Sequence, residues 1–226
     1  MIKEMVEKLL PLENCVWDSY ALRKEPLIGK ITPEQQTEFT IKARQSGVSI
    51  ARQLKELHNG VSPAELAELA GLLGVKINRI PSSDGGNYTM FACFHEPDQI
   101  FIYQATVENT EHMIEIQGLS DLLEHVRVED VLIAHELYHF FECRHPDLYT
   151  NQRVLTLWKI GKLIYTSRVS CLHEIAAMSF TQELLGLSYS PYVYDVVLLY
   201  AQNKRMSKKL YESICGIDAQ KEVLQG

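Results

Sequence analysis

Residues 133–145 read IAHELYHFFECRH. His135 and His139 stand four apart, Glu136 follows the first of them, and His145 lies six beyond the second. Val128, Val131, Leu132, Ala134, Leu137, Tyr138 and Phe141 recur at helical spacing around them, and Pro146 stops the run. On a helix, positions i and i+4 project from one face a turn apart, so both imidazoles can address a single metal ion. Glu136, beside the first histidine, is placed to reach a metal-activated water rather than the ion itself. The plainer alternative is an amphipathic helix with surface histidines. The apolar turn before the motif and the hairpin signal upstream favour the metal reading.

A hydrolytic zinc site usually has three protein ligands and one open position. Two residues compete for third place. His145 completes the H-E-x-x-H-x-x-x-x-x-H spacing of metzincin peptidases. In those enzymes a glycine three residues after the second histidine turns the chain sharply, and here that position is Glu142. Glutamate lacks glycine's access to left-handed backbone angles, so His145 stays too far along the helix. Glu174 is the better candidate. It lies on a second strong helix, CLHEIAAMSFTQELLG, in which Ala176 and Ala177 permit close helix approach. His173 points about 100° away from Glu174 around that helix, which suits a supporting or packing role.

The rest of the chain reads as mostly helical with a little sheet. Ile2, Met5, Val6, Leu9 and Leu10 repeat at helical spacing, and Thr32-Pro33 begins a second helical stretch that Gly47 divides. Ser62-Pro63-Ala64-Glu65 has capping-box spacing, and the helix it opens ends near Gly74. That helix resembles the first half of a helix-turn-helix, but a strand pattern follows it (75–81) where a recognition helix would be required. Residues 88–94 and 99–105 form a hairpin signal, 106–126 give no clear pattern, and 153–169 suggest a small hairpin around Gly161. Gly186 ends the Glu174 helix, Ser190-Pro191 starts another, and the tail from 206 reads as two short helical pieces. The expected division is a helical segment over 1–60, a metal-bearing domain over 61–205 and a helical tail over 206–226.

Composition narrows the function classes. A chain of 226 residues with net charge −7 lacks the clustered basic face that duplex nucleic acid requires, and it is a poor partner for an anionic membrane. Lys204, Arg205, Lys208 and Lys209 read as a solvated helix face. No apolar run nears the ~20 residues of a spanning helix, and no signal-peptide core is evident, so a cytoplasmic protein is expected. Cys15, Cys93, Cys143, Cys171 and Cys215 are odd in number and scattered, which argues against a disulfide framework; Cys143 and Cys171 read as packing residues rather than thiol sensors.

HELYH at 135–139, taken with EIAAMSFTQELL at 174–185, resembles the ImmA/IrrE family of zinc metallopeptidases. Members of that family carry H-E-x-x-H on one helix and E-x-x-A-x-x-F-x-x-x-L-L on a later one. Glu174, Ala177, Phe180, Leu184 and Leu185 fit the second pattern, and the resemblance covers roughly residues 40–186. It implies a zincin-like α+β fold, mostly helical, with a small sheet or hairpin beside the HExxH helix. It implies Zn2+ held by His135, His139 and Glu174, with Glu136 as general base. It further implies intracellular cleavage of a protein or peptide substrate, often a repressor-type regulator. The chain departs from many members at Tyr138, shows no separate DNA-binding or sensor domain, and is longer over 147–170.

Around this core, Tyr189, Tyr192 and Tyr194 cluster after the Glu174 helix. They read chiefly as packing residues, with Tyr192 or Tyr194 the candidates for stabilising an oxyanion. Asp195 is a candidate for orienting a ligand histidine. The competing functional class is a zinc-containing regulatory module that binds a protein partner without cutting it. A helical DNA-binding regulator is a third, disfavoured by charge and by the missing recognition helix.

Overall fold

Thr32 opens the longest helix of the protein. Its hydroxyl accepts the Gln35 N–H (3.3 Å), the Gln35 side chain returns the bond to the Thr32 N–H (3.0 Å), and Pro33 occupies the first helical position. The computed structural model describes residues 1–58, 65–81, 90–161 and 163–225. Within these the chain forms α1 (Ile2–Leu9), α2 (Asn14–Arg23), α3 (Pro33–Leu57), α4 (Leu66–Leu72), β1 (Lys76–Ile80), β2 (Ala92–His95), β3 (Gln99–Tyr103) and α5 (Gln104–Ile116). There follow α6 (Val128–Arg144), α7 (Tyr149–Gln152), β4 (Val154–Ile160), β5 (Leu163–Arg168), α8 (Cys171–Leu185), α9 (Val193–Gln202) and α10 (Lys204–Gln225). The architecture is a mostly helical α+β arrangement with small sheets, as expected.

Gly47 does not divide α3, which runs unbroken through it. Its role is steric. A Cβ at this position would collide with the Ala176 carbonyl oxygen and come to 3.0 Å from the Phe180 nitrogen. The missing side chain lets α3 lie directly on the backbone of α8, whose Ala176 and Ala177 are fully buried. α8 also packs against α6, so it is the middle layer between α3 and the HExxH helix. Gly186, at φ 70°, ends α8 in the left-handed conformation that suits glycine.

β3 is the central strand of a three-stranded sheet. It pairs parallel with β1 (Ile77 beside Ile100) and antiparallel with β2 (Phe94 beside Ile100), giving the order β1-β3-β2. Ile100 and Ile102 alternate inward from β3 and are buried, the period-2 pattern of a strand with one covered face. β2 is an edge strand among the described residues and lies beside α6, where Phe94 meets Phe140 edge-to-face. The expected hairpin is thus present with shorter strands. Its second strand ends at Tyr103 because Gln104 begins α5, and residues 82–89 lie outside the described residues. So do 62–64, on which the capping-box reading rests. The step from α4 into β1 leaves no recognition helix after α4.

Three further regions are sharper than their sequence. The stretch over 106–126 holds α5 and then a tight turn in which Glu124 and His125 both take positive φ. Glu111 of α5 accepts the Val128 N–H (2.9 Å) and so caps α6. The 153–169 hairpin is present as β4 and β5 around Gly161 (φ 59°), with Trp158 stacked on Tyr165 and both strands largely exposed. The tail is one helix rather than two pieces. Ser207, Ile214 and Ile217 bury a continuous face, and the Ser207 hydroxyl donates to the Val196 carbonyl (2.8 Å). One hydrophobic core joins Ile2 of α1 to Ile217 of α10. No helix among the described residues is long and apolar enough to cross a membrane.

Candidate metal centre

The i, i+4 spacing on α6 turns both imidazoles the same way. His135 Nε2 and His139 Nε2 lie 3.3 Å apart. Glu174, from the first turn of α8, closes the group, with Oε2 3.4 Å from His135 Nε2 and Oε1 3.9 Å from His139 Nε2. Among the described residues these three form a group whose ligand atoms all lie within 4.8 Å of one another. For metal–ligand bonds of about 2.0–2.1 Å, the edge of a tetrahedron is about 3.3–3.4 Å, close to the observed spacings. Two imidazole nitrogens and a carboxylate are an ordinary donor set for such an ion, and without one a protonated His135 pairs with Glu174. The donor set therefore fits a zinc-like divalent ion.

Burial opposes a charged His135, but the Glu174 carboxylate beside it, with smaller help from Glu136 and Asp195, raises its pKa to about 9. Burial likewise opposes ionisation of Glu174, yet the hydrogen bond and charge of His135 hold its pKa down, to about 2. The two histidines are largely covered, whereas the Glu174 side chain is 54% exposed, so the cluster opens on the α8 side. A cavity of about 310 Å³ adjoins Glu174 there, between Lys24, Met178, Tyr192 and Asp195. Glu136 is absent from the ligand cluster and mostly buried; its charge is felt by Cys93 of β2, on the sheet side of α6.

Glu174 is positioned by a residue the motifs do not contain. Glu25, buried in the connection between α2 and α3, accepts the Cys171 N–H (3.0 Å) and the Ser170 hydroxyl (2.9 Å), and its other oxygen accepts the Leu27 N–H (3.0 Å). It thereby caps α8 one turn before Glu174, where the helix dipole favours an anion. Burial alone would raise its pKa, but these hydrogen bonds outweigh it and lower it. Replacing Glu25 by Ala orphans three donors and should cost about 2 kcal/mol in urea unfolding. Because the folded-state pKa is depressed, Glu25's contribution is complete above its ordinary value near 4.5 and is lost as pH falls through the folded value. A difference between wild type and Glu25→Ala that shrinks at low pH is the expected result.

The remaining candidates separate. His145 is the C-terminal cap of α6, stacked on Phe141 and half exposed, outside the cluster. His173 places its Nδ1 2.6 Å from Glu142 Oε1. Asp195 Oδ2 accepts the Tyr20 hydroxyl at 2.7 Å and Lys24 Nζ at 3.1 Å, and the residue acts on His135 through its charge. The task of orienting a ligand histidine lies within reach of Glu142, whose Oε2 is 3.5 Å from His139 Nδ1. Burial works against the Glu142 charge, but bonds from His139, His173 and Thr150 lower its pKa to about 2. Tyr194 pairs its hydroxyl with Tyr189 (3.3 Å), which donates to the Leu123 carbonyl (3.1 Å), so both pack away from the cluster. Tyr192 stacks on Trp17, and its buried hydroxyl, at the cavity wall beside Glu174, has no hydrogen-bond partner among the described residues. Sequence reading passed over Glu25 and Glu142. For Glu142 the signal was present, since it stands three residues after His139 on the same helical face.

Comparison with family models, curated proteins and solved structures finds no match to this chain.

Proposed function

We propose that the protein is a zinc-dependent endopeptidase acting on an extended segment of a regulatory protein. The carrying observation is the cluster of His135, His139 and Glu174, three ligands with an exposed side, beside a glutamate that is not among them. The resemblance of HELYH and EIAAMSFTQELL to the two ImmA/IrrE motifs supports the same reading, with a repressor-type regulator as the substrate class. So does the absence, among the described residues, of a fourth ligand in the group, which a purely structural zinc would be expected to have.

A zinc ion held by the three residues supplies a Lewis acid that polarises a carbonyl and acidifies a water. The protein's own contribution is positional and acid–base. Glu136 accepts one proton as the water oxygen adds to the scissile carbonyl carbon. It then delivers that proton to the amide nitrogen as the C–N bond breaks, leaving a carboxylic acid and an amine. β2, an edge strand among the described residues and packed beside α6, carries backbone groups with which an extended substrate can pair.

Metal analysis tests the reading. Purified wild-type protein should carry one zinc per chain, and Glu174→Ala should weaken zinc binding by more than the about 10- to 100-fold typical of losing a residue behind a ligand, with cleavage lost in parallel. Wild-type protein that binds neither zinc nor cobalt at micromolar concentrations would overturn the proposal.

A further inference from the structure

We propose that Glu142 is the positioning residue of this site, a single buried carboxylate that sets the ring of the ligand His139 and ties the helix turn bearing Glu174 to it. The inference rests on the metal reading above. His139 turns Nε2 towards His135 and Glu174, so its other nitrogen, Nδ1, is the one that must carry hydrogen when Nε2 is a ligand. Glu142 Oε2 faces Nδ1 at 3.5 Å, an ion-pair contact longer than the about 2.7–3.2 Å of an ordinary N–H···O bond. The other oxygen, Oε1, takes His173 Nδ1 at 2.6 Å. His173 directly precedes Glu174 in α8, so one carboxylate fixes two of the three ligand positions, one on each helix.

The carboxylate is itself held. Thr150 of α7 donates its hydroxyl to Oε1, and the Tyr138 hydroxyl lies 3.2 Å from Thr150. Asn151 clamps the backbone carbonyl of Glu142 at 2.7 Å. Glu142 is 8% exposed, so water does not compete strongly for these contacts. A negative group behind a ligand imidazole fixes its tautomer and makes its free nitrogen a better donor to a metal ion. The same residue that removes the metzincin turn, and with it His145, does this work in the turn's place.

The test compares wild type, Glu142→Ala and the isosteric Glu142→Gln for zinc affinity by chelator competition, and for the visible spectrum of the cobalt-loaded protein. Glu142→Ala should bind zinc about 10- to 100-fold more weakly, with a changed cobalt spectrum. Glu142→Gln should fall between, since an amide has one acceptor oxygen for two imidazoles. Thr150→Val, which removes a support but neither imidazole contact, should lower thermal stability with a smaller change in zinc affinity than Glu142→Gln. If Glu142→Ala does not fold, Glu142→Gln decides. Variants that bind zinc within twofold of a metal-binding wild type, with an unaltered cobalt spectrum, overturn the inference while leaving the metal site intact. Failure of wild type to bind either metal removes the site itself.

Discussion

Glu136→Gln should retain one zinc per chain and lose peptide cleavage by about 10²- to 10⁴-fold. The substitution keeps shape and removes the carboxylate's capacity to accept a proton. Metal binding should survive because the ligand group is His135, His139 and Glu174, without Glu136. The loss belongs in kcat, since proton transfer is a step of bond making and breaking. Zinc content and turnover measured on the same preparation separate the two roles. A parallel fall in zinc would return Glu136 to the ligand set and remove the base from the mechanism.

Gly47→Ala should destabilise the protein by about 3 kcal/mol, the upper end of the usual cost of overpacking. Alanine is the better helix former by about 1 kcal/mol, so propensity alone predicts the opposite sign. Sterics win because the new methyl would run into the Ala176 carbonyl oxygen and crowd Phe180 N, both backbone atoms that no rotamer change can move. α3 must instead shift off α8. Glu174 is two residues from the collision, so zinc affinity should weaken as well. Gly71→Ala is the control: it lies in α4, a Cβ there meets nothing within 4 Å, and stability should rise by about 0.5–1 kcal/mol. Urea unfolding of both variants checks the pair, and a neutral Gly47→Ala would mean that the helices are not packed this closely.

How much of this was legible beforehand follows from the range of each interaction. The α6 helix and the shared face of His135 and His139 were readable because a helical period is a local property. Pro146 and Gly186 marked helix ends for the same reason. Glu174 lies 35 positions beyond His139, and it was found through its alanine-rich helix and the resemblance of two motifs rather than through spacing. Gly47 was misread as a break because its partner, Ala176, is distant in the chain, and only their contact shows why a side chain is missing. The tail looked like two pieces because its buried residues are sparse, and they cohere only against α2 and α9. The hold of Tyr20 and Lys24 on Asp195 is likewise a tertiary fact that no local pattern shows. Glu25 looked like part of a loop, and its three hydrogen bonds cross to residues that no local pattern connects with it.

That last residue ties the candidate site to the start of the chain. The end of α2 and the connection after it supply the carboxylate at the head of α8 and the tyrosine and lysine that hold Asp195 at the cavity. A shorter relative beginning near α3 would need another anion at that helix head, or would have to begin the helix differently. Removing the first thirty residues is therefore expected to loosen the start of α8 and, with it, the turn that carries Glu174.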